Sequence, residues 1–334
     1  MPTKIAFVII CFLFCKTSFC QVDAHFTQYY TYGIYLNPAL TGVINEGDVS
    51  LTAIRRNQWS NVADPYITTG IAADFSTNKN WGFGINVMQQ TAGNAGYKNT
   101  SAVLSISNNN IAFGFDNTQH ISIAIQTGIT NKRIDPSRFT FGDQYNPAIG
   151  YDPSISSSGQ SLISVNQFSQ METGAGLFYY ETSEYSNVNT FGGIALAHIF
   201  AQKNNFNNNS LMIPMRLTVH GGAKINLSEK FSWSPNFIYM KQGNANEIIP
   251  GVQSEYNLSD ATTFNGGINY RHLDAVNLIV GLKVNKLSIG FSYDISISGL
   301  NKFAKNVNST ECSLKYISSR PHREKKEIIR CPRL

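Results

Sequence analysis

The sequence predicts an all-β protein, namely a transmembrane antiparallel β-barrel of about fourteen strands with periplasmic termini. Three observations lead to this fold class. Many segments alternate apolar and polar residues with a period of two, as strands do when their two faces meet different surroundings. Charged residues make up 14% of the chain and aromatic residues 12%, whereas a soluble domain usually carries about 25% charged residues. The chain also begins with the features of an export signal.

Residues 1–20 are predicted to be a signal peptide. Lys4 supplies the positive start, residues 5–15 form an apolar run, and Ser18 and Cys20 are small residues at the positions that a signal peptidase recognises. A lipoprotein is disfavoured because a phenylalanine, not a small residue, precedes each candidate cysteine. Beyond this segment, no stretch reaches the ~20 apolar residues that a membrane-spanning helix requires. Any membrane span must therefore consist of strands.

Period-two alternation divides the rest of the chain into strands. It is clearest in residues 287–295, where every odd position is apolar or aromatic and every even position is small or polar. With turn-forming residues as boundaries, fourteen strands are predicted: 48–57, 66–76, 80–90, 99–114, 119–131, 172–181, 189–200, 213–226, 230–241, 246–257, 262–271, 276–284, 287–296 and 309–317. A bacterial single-chain barrel has an even number of strands, which this division satisfies.

The gaps between the predicted strands are unequal. If the mature chain begins in the periplasm, the gaps on that side are short, and the gaps on the other side include residues 132–171 and 200–213. Outer-membrane barrels have short periplasmic turns and longer external loops. Segment 132–171 contains three Asp-Pro or Asn-Pro pairs and is predicted to be a loop, which either binds a partner or is merely mobile.

A soluble secreted β-sandwich is the alternative fold, because its strands also alternate between a core face and a wet face. The export signal, the low charge, the Tyr and Phe content and the strand count favour the barrel. Two cysteines, Cys312 and Cys331, remain after the signal peptide, which is too few for a disulfide scaffold. Either the two form one disulfide bridge, or Cys312 is a residue within a strand and Cys331 is a free thiol near the end of the chain.

The sequence gives little indication of catalysis. It contains no phosphate-binding loop, dinucleotide fingerprint or Cys-x-x-Cys pair, and its six histidines are scattered, so no cofactor is expected. His120 and Ser122 share one strand face, a spacing that outer-membrane phospholipases use for nucleophilic catalysis. Because Ile121 and Ile123 occupy the opposite, lipid-facing side, the pair is predicted to face the lumen, away from acyl chains. Ordinary lumenal polar residues explain the pattern as well.

Several short motifs occur in order along the chain. QVDAHFTQYY at 21–30 and LNPALTG at 36–42 open the mature sequence, followed by RNQW at 56–59, YR at 270–271, SYDIS at 292–296, SGL at 298–300 and CPRL at 331–334. Together they resemble the signature of the PorP/SprF family of the Bacteroidetes type IX secretion system, over the whole mature chain. Two departures are Val22, which is inserted after the first Gln, and Ser309-Thr310-Glu311 in place of the family's S-H-E.

This resemblance implies an outer-membrane accessory component of type IX protein secretion that works by binding and is not an enzyme. The implied partners are subunits of the secretion machinery in the periplasm or outer membrane, secreted cargo or a surface adhesin used in gliding motility, and the lipid bilayer. Nucleic acid is excluded by the compartment. A general solute pore is the alternative function, and a lipid hydrolase is a remote alternative.

Residues 21–47 are predicted to form an N-terminal periplasmic cap at the mouth of a barrel that spans residues 48–317. Within the cap, Asn37-Pro38 predicts a turn, since Asn bonds its own backbone and Pro fixes φ. The functional interpretation is that the cap docks a periplasmic partner through Phe26, Gln28, Tyr29, Asn37 and Pro38. The structural interpretation is that these residues only pack the cap.

Residues 318–334 are predicted to be a basic C-terminal tail. The tail holds all of the excess positive charge of the mature chain, with Glu324 and Glu327 set against Arg320, Arg323, Lys325, Lys326, Arg330 and Arg333. Such a segment suits an acidic protein surface, lipid phosphate or a partner associated with peptidoglycan. The alternative is a solvated tail without a partner.

Overall fold

The computed structural model describes residues 23–44, 47–59, 65–77, 79–93, 96–114, 117–157, 159, 166–183, 186–200, 202–204, 211–299 and 307–318. The predicted signal peptide and the predicted tail beyond Ser318 lie outside the described residues. Within the part that is described, no helix is long and apolar enough to cross a membrane.

Fourteen antiparallel strands close into a barrel. The ring is completed by pairing between the first and last strands, where residues 49–58 lie opposite residues 309–318. The barrel strands are β1 (Val49–Gln58), β2 (Tyr66–Ser76), β3 (Trp81–Ala92), β4 (Tyr97–Phe113), β5 (Gln119–Arg133), β8 (Gln167–Glu181), β9 (Val188–Ala197), β12 (Arg216–Asn226), β13 (Phe231–Gln242), β14 (Ala245–Ser259), β15 (Thr262–Arg271), β16 (Ala275–Val284), β17 (Leu287–Ser296) and β18 (Ser309–Ser318). Because the ring is closed, its backbone groups pair between strands, as a bilayer requires.

Apolar side chains cover the outside of the barrel and polar ones line its lumen. On β17, Ile289 and Phe291 are exposed on the outer face, while Ser292 and Asp294 are buried inside. Large apolar residues are exposed in the same way on the other barrel strands except β12, whose outward Leu217, Val219 and Ile225 are half-buried. So much contiguous apolar surface is unusual for a protein in water and suits contact with acyl chains. The predicted barrel is confirmed, and the sandwich alternative is wrong.

The predicted number of fourteen barrel strands is confirmed, with differences at the strand ends. The prediction began one strand at 172, whereas β8 begins at Gln167 because it pairs along β5 as far as Arg133. It also extended a strand to 200, whereas β9 ends at Ala197, before His198 adopts a φ of 56°. A backbone with positive φ leaves the extended conformation, which accounts for the earlier end.

The two ends of the barrel differ in their connections. The short-turn end carries tight links such as 227–230 and 285–286, and the long-loop end carries the connections 134–166 and 198–215. Each of these two long connections contains a small two-stranded sheet. The first is formed by β6 (Tyr145–Asn146) and β7 (Gly150–Tyr151), and the second by β10 (Gln202–Asn204) and β11 (Leu211–Ile213). By the asymmetry of outer-membrane barrels, the short-turn end faces the periplasm.

Residues 23–44, the inner segment, lie within the barrel. Near the long-loop end, the Thr27 hydroxyl accepts a 2.7 Å hydrogen bond from Arg56 of β1, and at the short-turn end the backbone N–H of Gly42 donates to Asp74 of β2 at 2.9 Å. The segment therefore descends through the lumen, whereas a cap at the mouth was predicted. The physical reason for the difference is that the polar lumen supplies hydrogen-bond partners for the backbone of a short, irregular segment.

Candidate functional site: the inner segment and the lumen

Two apolar clusters pack the inner segment against the barrel wall. The first joins Phe26, Tyr32 and Ile34 of the segment to Ile54, Ala72 and Met88 on the first three strands. The second joins Tyr29, Leu36, Ala39, Leu40 and Val43 to Ala124, Phe178, Tyr180, Ile238 and Ile249. The inner segment is thus held on opposite sides of the barrel, and its burial contributes to folding through the hydrophobic effect.

The turn predicted at Asn37 and Pro38 is present. A helical turn over Gly33–Leu36 is followed by a 3₁₀ turn over Pro38–Leu40, and the Asn37 carboxamide oxygen accepts from the Ala39 N–H at 2.9 Å. Pro at the first position of a helical turn costs nothing, because its missing N–H would be unpaired there. The Asn37 amide also donates to the Leu177 carbonyl of β8 at 3.0 Å. One side chain therefore both caps the turn and anchors it to the wall.

Glycines on the lumen face let the inner segment approach the strands closely. A Cβ on Gly176 would lie 2.0 Å from the Asn37 carboxamide oxygen, and one on Gly193 would lie 2.6 Å from its amide nitrogen. A Cβ on Gly290 would lie 2.1 Å from the Gln28 carboxamide oxygen. Any larger residue at these positions would have to displace the inner segment.

A buried group of charges, the arginine cluster, lies in the long-loop half of the lumen. Arg56 is 1% exposed and pairs with Asp294 at 2.5 Å and Glu311 at 3.2 Å. Arg271 pairs with Glu247 at 2.6 Å and also reaches Asp294 at 3.4 Å. Charges so deeply buried are tolerated only when each is paired and hydrogen-bonded.

The inner segment completes the arginine cluster. The backbone N–H groups of Thr27 and Gln28 donate to the two carboxylate oxygens of Glu311 at 2.9 and 2.7 Å. The Thr27 hydroxyl donates to Asp294 at 2.8 Å. Hydrogen bonds to ionised groups are among the strongest in proteins, so this contact is the main polar anchor of the segment.

A second group of charges, the histidine cluster, binds the start of the inner segment at the long-loop end. Asp23 lies 2.7 Å from the Nε2 of His198 and 3.0 Å from Arg216. His198 also contacts Glu172 through Nδ1 at 2.9 Å. Arg216 lies 4.8 Å from the centre of the Tyr35 ring and donates to its hydroxyl at 2.9 Å. The cluster therefore joins the inner segment to β8, the end of β9 and β12.

The charges of the histidine cluster shift its pKa values. Burial alone would lower the pKa of His198, but the attraction of Asp23 and its hydrogen bonds to Asp23 and Glu172 raise that pKa to about 9. Burial would raise the pKa of Asp23, yet Arg216 and His198 hold it well below its usual value. At neutral pH the cluster thus contains a charged imidazolium beside the Asp23 carboxylate.

The structure brings together five predicted partner-binding residues inside the lumen. Phe26, Gln28, Tyr29, Asn37 and Pro38 are all buried against the wall, so a partner at either mouth does not reach them while the segment is in place. Their role in partner binding stays a prediction. The other predicted residues, Arg320, Arg323, Lys325, Lys326 and Arg330, lie outside the described residues.

Sequence reasoning did not foresee the two charge clusters. Arg56, Arg271 and Asp294 belong to the short motifs of the sequence, but they lie on three different strands and nothing in the sequence joins them. Each of them lies on the polar face of a strand with alternating residues, which predicts that it faces the lumen. A charged residue in the lumen needs an opposite charge nearby, so this pattern could have indicated ion pairs. His198, in a predicted strand end, carried no such signal.

Ser122 and His120 do not form an accessible catalytic pair. Ser122 is completely buried, and its hydroxyl donates to the Ala39 carbonyl of the inner segment at 2.6 Å. The His120 ring stacks on Tyr180 with its Nε2 3.2 Å from the Thr182 hydroxyl. A nucleophile needs an adjacent base and room for a substrate. Among the residues that the structure describes, no group of three or more His, Cys, Asp or Glu could hold a metal ion.

The closed cylinder, its apolar exterior and its occupied lumen define an outer-membrane β-barrel protein. The model of the family described as "Type IX secretion system membrane protein PorP/SprF" matches residues 18–316. The chain belongs to this family and is a membrane component of type IX secretion, located in the outer membrane.

Solved structures of other barrels are similar in outline. The toluene transporter TbuX of Ralstonia pickettii is 11% identical, with a TM-score of 0.49 and coverage of 85% of this chain and 92% of that one. The monoaromatic hydrocarbon channel CymD is 11% identical, with a TM-score of 0.49 and coverage of 87% and 94%. A FadL homologue of Pseudomonas aeruginosa is 10% identical, with a TM-score of 0.49 and coverage of 86% and 94%. No curated protein matches the chain in sequence.

Replacing Arg56 is expected to loosen the inner segment. The change Arg56→Ala leaves Asp294 and Glu311 buried without this partner, and breaking a buried ion pair costs about 3–5 kcal/mol. Its neighbour Arg55 is exposed on the outer face, so Arg55→Ala should change stability by about 0.5 kcal/mol. The measurement is the free energy of unfolding in urea with lipid present. Equal stabilities of the two variants would contradict the assigned role of Arg56.

Stability should depend on pH through His198. Because its pKa is raised from 6.5 to about 9 in the folded chain, its stabilising contribution is complete below pH 6.5 and is lost as the pH rises towards 9. Wild-type protein should therefore melt at a higher temperature than His198→Gln at pH 6. This difference in melting temperature should disappear at pH 9.5. The matched control is His272→Gln, at an exposed turn residue. A difference in melting temperature that does not change with pH would contradict the proposed contribution of the His198 charge to stability.

Proposed function

We propose that the chain is a non-conducting dock of the type IX secretion system, which holds secreted cargo or an adhesin at its long-loop end and periplasmic machinery subunits at its short-turn end. The observation that supports this most is the inner segment, which is bound within the lumen from Asp23 to Gly42. A solute pore needs an open polar path, whereas barrels that are filled by their own chain do not provide one. The surfaces with which this chain binds its partners are then the two ends of the barrel.

The long-loop end offers a surface for cargo. The hairpin of β6 and β7 exposes Tyr145 and Ile149 at 66% and 70%, and Tyr151 beside them is also exposed. Exposed aromatic and aliphatic side chains of this kind are the usual anchors of protein interfaces. This supports the cargo-binding alternative for the predicted loop over its merely mobile alternative, and docking of an adhesin for gliding is part of the same proposal.

The short-turn end offers the predicted tail for machinery subunits. The tail follows Ser318 at the end of β18, so it begins on the periplasmic side of the membrane by the orientation argued above. Its net positive charge suits an acidic protein surface. In this proposal the chain performs no catalysis and acts through binding alone.

The proposed closed lumen is tested by electrical recording. Protein reconstituted in planar bilayers should give no steady channels, whereas Arg56→Ala should open more often because the anchor of the inner segment is weakened. Insertion is verified by resistance of the folded band to denaturation in semi-native electrophoresis. Large steady currents from the wild type would favour the solute-pore alternative and overturn the dock.

Deleting residues 320–334 should weaken the recovery of machinery subunits while leaving membrane insertion unchanged, since the barrel strands end at Ser318. The measurement is quantitative mass spectrometry of type IX subunits that co-purify with the tagged chain. A matched control is Glu324→Gln with Glu327→Gln, which keeps the tail and increases its positive charge. Unchanged recovery after the deletion would remove the tail from the docking surface.

A further inference from the structure

The outer face of the barrel changes from apolar to polar at a sharp boundary on β2, β3, β4, β5 and β8. One row of paired outward residues across these strands, the apolar row, consists of Ile71, Val87, Ala102, Ile129 and Met171. The next outward row towards the long-loop end, the polar row, consists of Thr69, Gln89, Thr100, Asn131 and Ser169. The two rows are about 7 Å apart at the usual rise of a strand. Contact with acyl chains therefore ends between them on this side of the barrel.

Two basic residues lie just beyond the polar row. Lys98 of β4 and Arg133 of β5 are both exposed on the outer face, and they stand directly opposite each other in the ladder. The Cβ atoms of such a pair are about 4.5–5.5 Å apart, and like charges placed in this way destabilise a sheet. In the part of the chain that the structure describes, neither residue takes part in an ion pair. The pair therefore favours an anion that contacts both side chains.

The acidic residue nearest to this pair in the sequence is already engaged. Asp135 follows Arg133 by two positions, but its carboxylate pairs with Arg138 at 3.2 Å. A Cβ on Gly96 would lie 2.9 Å from the Asp135 Cβ and 3.3 Å from the Arg138 Cδ, so these two charges sit together beside the β4 end that carries Lys98. Because they cancel, Lys98 and Arg133 set the sign of the local potential.

Highly exposed apolar side chains lie on the bilayer side of the boundary, on the same two strands. Ile125, Ile129 and Leu104 are 67%, 61% and 58% exposed. Between them and the basic pair lies the polar row, in which the Thr100 hydroxyl accepts from the Gln89 amide at 3.3 Å and so can donate its own proton to a ligand. A ligand that crosses the boundary must therefore combine an anionic group, hydrogen-bonding groups and apolar chains.

The boundary belongs to one side of the barrel. On β15 and β17, Ile268 and Ile295 are exposed on the outer face close to the long-loop ends of their strands. β4, β5 and β8 have 17, 15 and 15 residues, whereas β15, β16 and β17 have 10 each. The long strands thus extend further towards the outside, and the basic pair lies on their extension. By the orientation argued above, this surface meets the outer leaflet.

We propose that this surface binds a phosphorylated glycolipid of the outer leaflet, with one phosphate group between Lys98 and Arg133. Arginine and lysine are the usual phosphate ligands in proteins. The acyl chains of the lipid pack on Ile129 and Leu104, and its sugar hydroxyls contact Thr100. The polar row spans five strands, about 19 Å at the usual strand spacing, which suits a headgroup of several sugars. This inference concerns the bilayer and does not depend on the proposed docking function.

The test measures binding of bisphosphorylated lipid A to the full-length chain in uncharged detergent by native mass spectrometry. Lys98→Gln with Arg133→Gln should weaken binding by about tenfold or more, because two charge-assisted contacts are lost. The matched control is Arg55→Gln with Lys241→Gln, which removes two exposed outward basic residues that have no charged residue opposite them. The control should change binding by less than about twofold. Equal losses in both double variants, or none in the first, would overturn the proposed lipid site.

Changes to the probe separate the remaining explanations. Lipid A without its phosphates should bind wild type and the Lys98→Gln, Arg133→Gln variant equally; a difference that persists would contradict phosphate recognition. Neither millimolar inorganic phosphate nor a peptide of eight glutamates should displace lipid A, since neither carries acyl chains. Displacement by phosphate would indicate a site for a soluble anion, and displacement by the peptide would indicate a protein-binding surface. Either result counts against the lipid site. Folding of each variant is verified by semi-native electrophoresis.

Discussion

The rest of the structure depends on the buried pairing of Arg56 with Glu311 and Asp294. Arg56 and Glu311 lie opposite each other in the ladder between the first and last strands, so their attraction acts across the seam that closes the barrel. The same Glu311 carboxylate accepts two backbone N–H groups from the inner segment. Closure of the ring and filling of the lumen therefore share one set of charges.

This sharing has a consequence for folding order. The contact joins residues that are 255 positions apart in the chain, and the inner segment precedes all of the strands that hold it. Contacts of such long range cost much loop entropy before they are formed. The inner segment gains Asp294 and Glu311 as partners only after β17 and β18 are in place, so this part of its docking belongs to the late steps of assembly.

Period-two alternation made the strands predictable, because a lipid-facing side and a lumenal side leave a direct trace in sequence. The number of strands and most of their limits followed from it. The place of the inner segment did not, because residues such as Tyr29, Leu36 and Asn37 suit a cap as well as a lumen. The charge clusters were hidden for another reason: Arg56, Asp294 and Glu311 are single charges in separate strands, and only the three-dimensional register brings them together.

The path of the inner segment links the two charge clusters to the two ends of the barrel. The inner segment begins at the long-loop end, where Asp23 pairs with His198 and Arg216. It then contacts β17 and β18 through Thr27 and Gln28 and ends beside β2 at the short-turn end, where Gly42 donates to Asp74. The segment is therefore held by buried charges in the long-loop half, from Asp23 to Gln28, and by Asp74 at its short-turn end. The path of the inner segment is thus set in part by Glu311, which also takes part in the pairing between the first and last strands.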